Sequence, residues 1–497
     1  MILLFNPRAT NHNPRIPNSV LQIAASIDGI YEWVIVDGNL EKDPWTVIEN
    51  YLSTGKIKYF ACTVMPGPQL KQAIPFAKKI RASYPHIKII FGGYFASNQY
   101  KVNLDSGYVD YIVNGPGDNT FPQLINAIEN NLQVDGIKNL IYKKDEQIFK
   151  TAKEELLDLD KLPALPYQKL NKFYPFQKLL PKTYLGKKTI AYHSSFGCPF
   201  TCSFCAVVPI YNARWKGKSA QGIYNDVKLL KDTYQADSIE FHDNNFFVSE
   251  KRTVEFAKLI EKENMVWWGE ARIDTMDKYK DESLAAIRKS GCKMIFFGAE
   301  TGNDEVLEKM DKGGTQTGKQ ILEFAERLKK FDIIPEYSFV LGIPGDTEKQ
   351  VNKQIDEDIA FIKKVKAINP KTEIIIYTYS PVPTEGSDMY KQVLDSGFKF
   401  PETLEDWISP AWENFDLRKN PLTPWLKPYM IDKIKQFETV LNGYYPSNSD
   451  IRLTAPKKII LKTLSSWRYK SSLYSFPKEI SFLQRVWKYR QPETEGF

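Results

Sequence analysis

Long hydrophobic runs are missing from this chain of 497 residues. No apolar stretch approaches the roughly 20 residues that a membrane-spanning helix needs. The opening "MILLFNPRAT" carries no basic leader, and its four-residue apolar segment is too short for a signal-peptide core, so it reads as a first strand. Cysteine is scarce: there are five, which excludes a secreted disulfide scaffold and points to a reducing, cytoplasmic setting. No internal repeat is present beyond a shared strand–helix rhythm. With 42% hydrophobic and 26% charged residues, the composition is that of a globular protein, and the length predicts two or three domains.

Charge of one sign is lacking over most of the chain. From Ile451 onward there are ten Lys or Arg residues against three Glu, so this tail accounts for the whole net charge of +7. No nucleic-acid-binding module stands beside it, and nucleic acid is not an expected partner. The tail interleaves its basic residues with aromatic and aliphatic ones in "KKIILKTLSSWRYKSSLYSFP" and "FLQRVWKYR". That pattern suits peripheral contact with an anionic membrane face. It equally suits a helical cap over another domain with a solvated basic face.

What is present is alternation. Over residues 1–135, "ILLF", "WVIVDG", "KYFACTV", "KIIFGG" and "DYIVNG" alternate with helical patterns, which predicts a doubly wound α/β domain with a parallel sheet. Ligands of such sheets sit beyond the strands' carboxyl ends. Those ends are polar or glycine-rich here: Asn6, Asp37, Thr63-Val64-Met65, Gly92-Gly93 and Gly115-Pro116-Gly117. Five such ends along one sheet edge favour a large ligand over ordinary turns. Residues 136–185, with "DLDKLPALPY" at their centre, read as a linker. A second series over 186–385 ("TIAYHSS", "SIEFHD", "VWWGEAR", "MIFFGAE", "PEYSFVLG", "EIIIYTYS") predicts a partial (β/α)6 barrel. Residues 386–497 read as a mainly helical region rich in aromatics and proline.

Cys198, Cys202 and Cys205 follow the first barrel strand in the spacing C-x3-C-x2-C. Three thiolates on one short loop can hold three corners of a four-iron cluster and leave the fourth iron open to a ligand. Zinc wants a fourth ligand, for which His193 stands five residues upstream.

This spacing, with Phe204 before the third cysteine and a partial barrel around it, resembles the radical S-adenosylmethionine (SAM) enzymes over Thr189 to about Pro381. The resemblance implies a 4Fe-4S cluster whose open iron chelates the amino and carboxylate groups of SAM. It also implies reductive cleavage to a 5′-deoxyadenosyl radical and an external electron donor of the flavodoxin or ferredoxin type. Phe204 corresponds to the position near the adenine. Asp243 and Asn244, in "EFHDNNFF", are similar to the motif of the cobalamin-linked branch. Glu270 and Arg272 share a strand face, Arg272 being suited to a carboxylate unless it forms a plain surface ion pair. Glu300 and Gly342, at later strand ends, are the remaining expected SAM contacts.

The domain order resembles the cobalamin-binding class of the same enzymes, as do "IIFGGYFAS" and "DYIVNGPGDNTF". The chain lacks the D-x-H-x-x-G motif that supplies a histidine to cobalt, and His12 is wrongly spaced for that role. Asn6, Asp37, Thr63, Val64, Met65, Gly92, Gly93, Gly115 and Gly117 are the expected cobalamin contacts. The resemblance implies a methyltransferase that carries a methyl group from SAM through cobalamin to an unactivated carbon of a small-molecule or lipid substrate. A cyclase or rearrangement enzyme of the same class, or a cobalamin or redox sensor, are the other readings. Tyr377, Tyr379, Trp407, Trp412 and Trp425 are either pocket-lining or core aromatics.

Overall fold

The computed structural model describes residues 1–9, 13–312, 315–382, 387–412 and 422–489. His12 lies outside them. The first sheet is built from β1 (Ile2–Asn6), β2 (Trp33–Asp37), β3 (Tyr59–Thr63), β4 (Lys88–Gly92), β5 (Tyr111–Val113), β6 (Leu140–Lys144) and β7 (Gln147–Lys150). Every residue of β1 and β2 is buried, which is why they read as continuous apolar runs: helices cover both faces of a parallel sheet. The strand order is β2-β1-β3-β4-β5-β6-β7. The chain therefore leaves β1 in one direction to β2 and in the other to β3, and the crevice between β1 and β3 is where a doubly wound sheet takes its ligand.

The sequence boundary at residue 135 falls too early. Strands β6 and β7 form an antiparallel hairpin whose first strand pairs with β5, so the sheet continues to Lys150. Its pattern, "LIYKKDEQIFK", buries one strand and exposes the other, as an edge hairpin does, and a search for strand–helix units passes over it.

The second sheet contains β8 (Thr189–Tyr192), β11 (Ser238–Phe241), β12 (Val266–Ala271), β13 (Cys292–Glu300), β14 (Ile334–Leu341) and β15 (Glu373–Thr378). These are the six expected strands, all parallel, in the order β15-β14-β13-β12-β11-β8. A small antiparallel pair, β9 (Ser195–Gly197) with β10 (Trp215–Gly217), clamps the loop between them. An added Cβ on Gly197, where φ is +73°, would stand 2.1 Å from the Arg214 carbonyl oxygen, so only glycine closes this clamp.

After β15 the chain crosses back over both sheets. Phe95 of the first domain meets Trp407 edge-on at 5.0 Å between ring centroids, and Trp407 packs on Trp412 at 4.8 Å. Tyr379, Trp407, Trp412 and Trp425 are all buried, so their role is core packing that straps the domains together. Tyr377 is half-buried. Three helices follow, Pro428–Tyr444, Ala455–Ser471 and Lys478–Trp487, against the outer barrel helix Glu348–Ile368. Among the described residues no helix is long and apolar enough to cross a membrane.

Helix Asp281–Lys289 illustrates how locally the barrel is encoded. It begins with Asp281 and Glu282 and ends with Arg288 and Lys289, each sign opposing the helix dipole. Gly291 then turns the chain at φ +101°, and a Cβ there would lie 2.0 Å from the Met265 carbonyl oxygen. Gly291→Ala is therefore expected to destabilise the protein by about 1–3 kcal/mol, read as a lower thermal midpoint.

Candidate functional site

The cysteine loop projects from the carboxyl end of β8, and a chain of buried polar groups fixes its base. Both carboxylate oxygens of Asp243 accept from the Ser194 backbone N–H at 3.1 Å, and one also accepts from the Ser194 hydroxyl at 2.8 Å and from the Ser195 hydroxyl. The Arg252 guanidinium reaches the Ser194 hydroxyl and its carbonyl oxygen from the opposite side, the latter at 3.2 Å. Asp243 is thus engaged as an internal brace. The sequence expectation of a SAM contact does not match these contacts, because its carboxylate is already satisfied by the protein.

Cys202 is buried and Cys198 and Cys205 are half-buried. Burial pushes the Cys198 thiol up from its ordinary range and the Cys205 thiol up to about 12, against the favourable pull of Lys312 on both and of Arg272 on Cys198. Thiols in such a setting keep their protons until a metal displaces them. Among the described residues no three His, Cys, Asp or Glu side chains converge to hold a single metal ion. Three thiols on one loop, faced by two cations that balance thiolate charge, fit three corners of an iron–sulfur cluster.

Arg272 is neither a surface ion pair nor free for a ligand carboxylate. Its guanidinium forks onto Asp274 at 2.9 and 2.8 Å, lies 4.0 Å over the Phe200 ring and donates to Cys202 Sγ at 2.9 Å. The strand face expected to carry both Glu270 and Arg272 ends where the chain turns after β12, and the carboxylate that Arg272 meets is that of Asp274. Glu270 stays on the inner face of the barrel. Burial pushes its carboxyl up to about 7, opposed by His242 and reinforced by Asp243 and Glu336.

Glu300 ends β13 at a bulge with φ +63°, a left-handed conformation that is uncommon outside glycine. Lys312 Nζ lies 2.8 Å from Glu300 Oε1, both side chains almost fully buried, and 5.9 Å from the Phe204 ring centroid. Phe204, Lys312 and Glu300 thus gather beside the cysteine loop. Gly342 does not join them. Its carbonyl oxygen accepts from Trp425 Nε1 at 2.9 Å, and a Cβ would meet Leu426 at 2.7 Å, so its close approach is to the protein's own core.

Between the sheet edge and the barrel mouth lies a cavity of about 740 Å³. Asn6, Thr63, Met65, Gly92, Gly93, Gly115 and Gly117 line it at the β1/β3 crevice, with Asn244 and His242 across from them. Gly92 and Gly115 have nothing closer than 3.8 Å to an added Cβ, so their missing side chains leave the cavity open to a bulky ligand. Asp37 and Val64 are not on its wall. Val64 is wholly buried beneath Gly93, and Asp37 is wholly buried at the edge strand, where burial pushes its carboxyl to about 6 against hydrogen bonds from Asn39. The supposed linker contributes Leu162, Pro163, Ala164 and Leu165 to the wall.

Polar contacts hold the two halves of the cavity in register, among them Asn18 Nδ2 donating to the Ala191 carbonyl oxygen at 2.9 Å. Tyr94 donates to Asn244 at 2.9 Å, Asn98 to the Ala206 carbonyl oxygen at 3.1 Å, and Arg15 pairs with Glu240 at 2.9 Å. Glu240 in turn stands 3.4 Å from His242. The sequence reading missed Arg15, Asp274 and Lys312; the only local signal was the i, i+2 spacing of Arg272 and Asp274.

A family model described as the radical SAM superfamily matches residues 192–357, the barrel with this loop. This chain is 28% identical over 260 residues to an uncharacterized methyltransferase of Pyrococcus horikoshii, a match covering 52% of this chain and 53% of that protein. It is 25% identical over 281 residues to the anaerobic magnesium-protoporphyrin IX monomethyl ester cyclase of Synechocystis sp., covering 53% and 54%. The chain therefore spans about half the length of these curated relatives. Its fold is similar to that of the radical SAM methyltransferase TsrM from Kitasatospora setae, solved with cobalamin and a [4Fe-4S] cluster, at 15% identity, TM-score 0.65 and 98% coverage of each chain.

Two outcomes follow for this site. Asp274→Ala leaves Arg272 buried and unpaired, and is expected to destabilise the protein by about 3–5 kcal/mol in denaturant titration. Glu270, with its folded-state pKa near 7 above an ordinary 4.5, holds a proton that the unfolded chain has released; its contribution to stability therefore falls as pH rises from about 4.5 to 7. Glu270→Gln is expected to raise the thermal midpoint above pH 7 and to change it little below pH 5.

Proposed function

We propose that the protein is a cobalamin-dependent radical SAM methyltransferase that methylates an unactivated carbon of a small, largely apolar substrate. The observation that carries this reading is a single open cavity bounded by the β1/β3 crevice on one side and by the barrel mouth and the segment flanking the cysteine loop on the other. When bound, the cluster, SAM and cobalamin supply the electron, the radical and the methyl group; an external reductant of the flavodoxin or ferredoxin type supplies the electron to the cluster.

The chain's own residues orient these groups and exclude water. Cys198, Cys202 and Cys205 would hold the cluster. Arg272, donating to Cys202, and Lys312, close to the loop, balance the negative charge that thiolate ligation brings. Phe204 offers a flat apolar face beside the loop, and Asn244 and Glu270 offer polar atoms at the barrel mouth. Glu270, protonated below about pH 7, presents a donor there and above that pH an acceptor. Gly92 and Gly115 would leave room for the corrin, Met65 and Thr63 line the crevice, and the Tyr94, Asn98 and Arg15 contacts set the spacing between crevice and loop. The segment 162–165 shields the cavity from solvent.

A cyclase of the same class is the second reading, favoured by the similarity to the magnesium-protoporphyrin ester cyclase. Anaerobic incubation of the reconstituted protein with SAM and dithionite separates the readings. A methyltransferase yields S-adenosylhomocysteine alongside 5′-deoxyadenosine, whereas a cyclase yields deoxyadenosine alone. Cys202→Ala is expected to abolish deoxyadenosine formation while hydroxocobalamin still binds. Cleavage retained in that variant would overturn the cluster assignment.

A further inference from the structure

The last two helices carry more exposed apolar surface than their size explains. Of the sixteen large apolar side chains exposed among the described residues, nine fall between Ile451 and Val486. Isolated exposed apolar residues are ordinary, but a concentration of them marks a surface that meets something.

Their arrangement is directional. Helix Ala455–Ser471 buries Leu461, Ser465 and Tyr469, one stripe at i, i+4 and i+8, against helix Pro428–Tyr444. Ile460 and Trp467 fall on the far side by the 3.6-residue period, with Leu464 at that side's edge, and all three are exposed. Lys457 and Lys470 flank that outer stripe on its two sides. The next helix, Lys478–Trp487, is anchored through Ile480 and exposes Phe482 and Val486. Phe476, in the turn between the helices, is 71% exposed and sits at φ +50°. That conformation is unusual for a bulky aromatic, and no packing in the fold accounts for displaying the ring there. A cap with a solvated basic face explains the buried stripe and leaves the outer one unexplained.

Charge decides the occupant. Between Ile451 and Tyr489 there are nine basic residues and one acid, Glu479, which is tied to Arg468. A second copy of this chain would set like charge against like charge. An anionic bilayer complements both features: aromatic and aliphatic side chains enter the headgroup boundary, and lysines at the rim meet lipid phosphates. We propose that the outer face of the Ala455–Trp487 helical hairpin is a docking surface for anionic membrane. The proposal is independent of the chemistry in the cavity.

The test is flotation of the full chain with vesicles of phosphatidylcholine alone and of phosphatidylcholine with phosphatidylglycerol in equal parts. The expected result is salt-sensitive binding to the mixed vesicles only. Trp467→Ser with Phe476→Ser and Phe482→Ser should weaken it by at least about tenfold. Lys457→Gln with Lys470→Gln should weaken it about fivefold per lysine removed, with an unchanged thermal midpoint. Because Trp467, Phe476, Phe482 and Lys470 are exposed and Lys457 is half-buried beside the Trp487 ring, that midpoint and hydroxocobalamin uptake distinguish lost docking from lost folding. Equal binding to both vesicle types, binding unaffected by either variant, or a concentration-dependent dimer that the apolar variant abolishes would overturn the proposal.

Discussion

A buried guanidinium governs the centre of this protein. Arg272 cannot be deprotonated, so once removed from water its donors must all find acceptors. It forks onto Asp274, stacks on Phe200 and reaches Cys202 Sγ. One side chain thereby ties the third barrel strand to the loop that follows the first. The second buried pair, Lys312 with Glu300, performs the same task from the fourth strand. Two cations held near three thiols make the loop a place where thiolate charge is tolerated, in a region whose burial otherwise keeps thiols protonated.

The domain interface follows from the same economy of polar groups. The contacts that cross it from Tyr94, Asn98 and Arg15 originate at the carboxyl edge of the first sheet, the first two from the short helix Gly93–Asn98 that follows β4. They land on the loops after the first two barrel strands or on the second strand itself. The aromatic strap through Trp407 closes the arrangement from the far side, where Phe95 packs edge-on against it. A cavity between two such edges is a consequence of the strand order: the β1/β3 reversal opens one wall and the barrel mouth supplies the other.

Much of this was legible in the chain because its signals are local. All six barrel strands and the first five strands of the N-terminal sheet announce themselves as short apolar runs followed by amphipathic helices. The hairpin β6–β7 escaped because it breaks that rhythm, and the linker's place in the cavity wall escaped because proline-rich segments declare no partner. Arg272 stands out by residue type and suits a ligand carboxylate or a surface ion pair, but the carboxylate it meets is Asp274, because a strand's period of two stops applying once the chain turns after Ala271. Asp243 and Gly342 were likewise chosen for chemistry that the folded chain uses on itself, as a brace and as a contact with Leu426.

The sequence by itself determined the cysteine loop, its place after the first barrel strand, and the glycine-rich edge of the domain before it. Each is set by spacing and by the conformations that glycine and proline allow within a few residues. Only the tertiary structure decided which polar groups are spent internally and which face the cavity. It also decided that Lys312 stands beside Glu300, and that the tail's second apolar stripe is left outside. Those outcomes depend on the burial of groups far apart in the chain. Desolvation, which makes a charge seek a partner, is a property of the packed molecule and not of any segment.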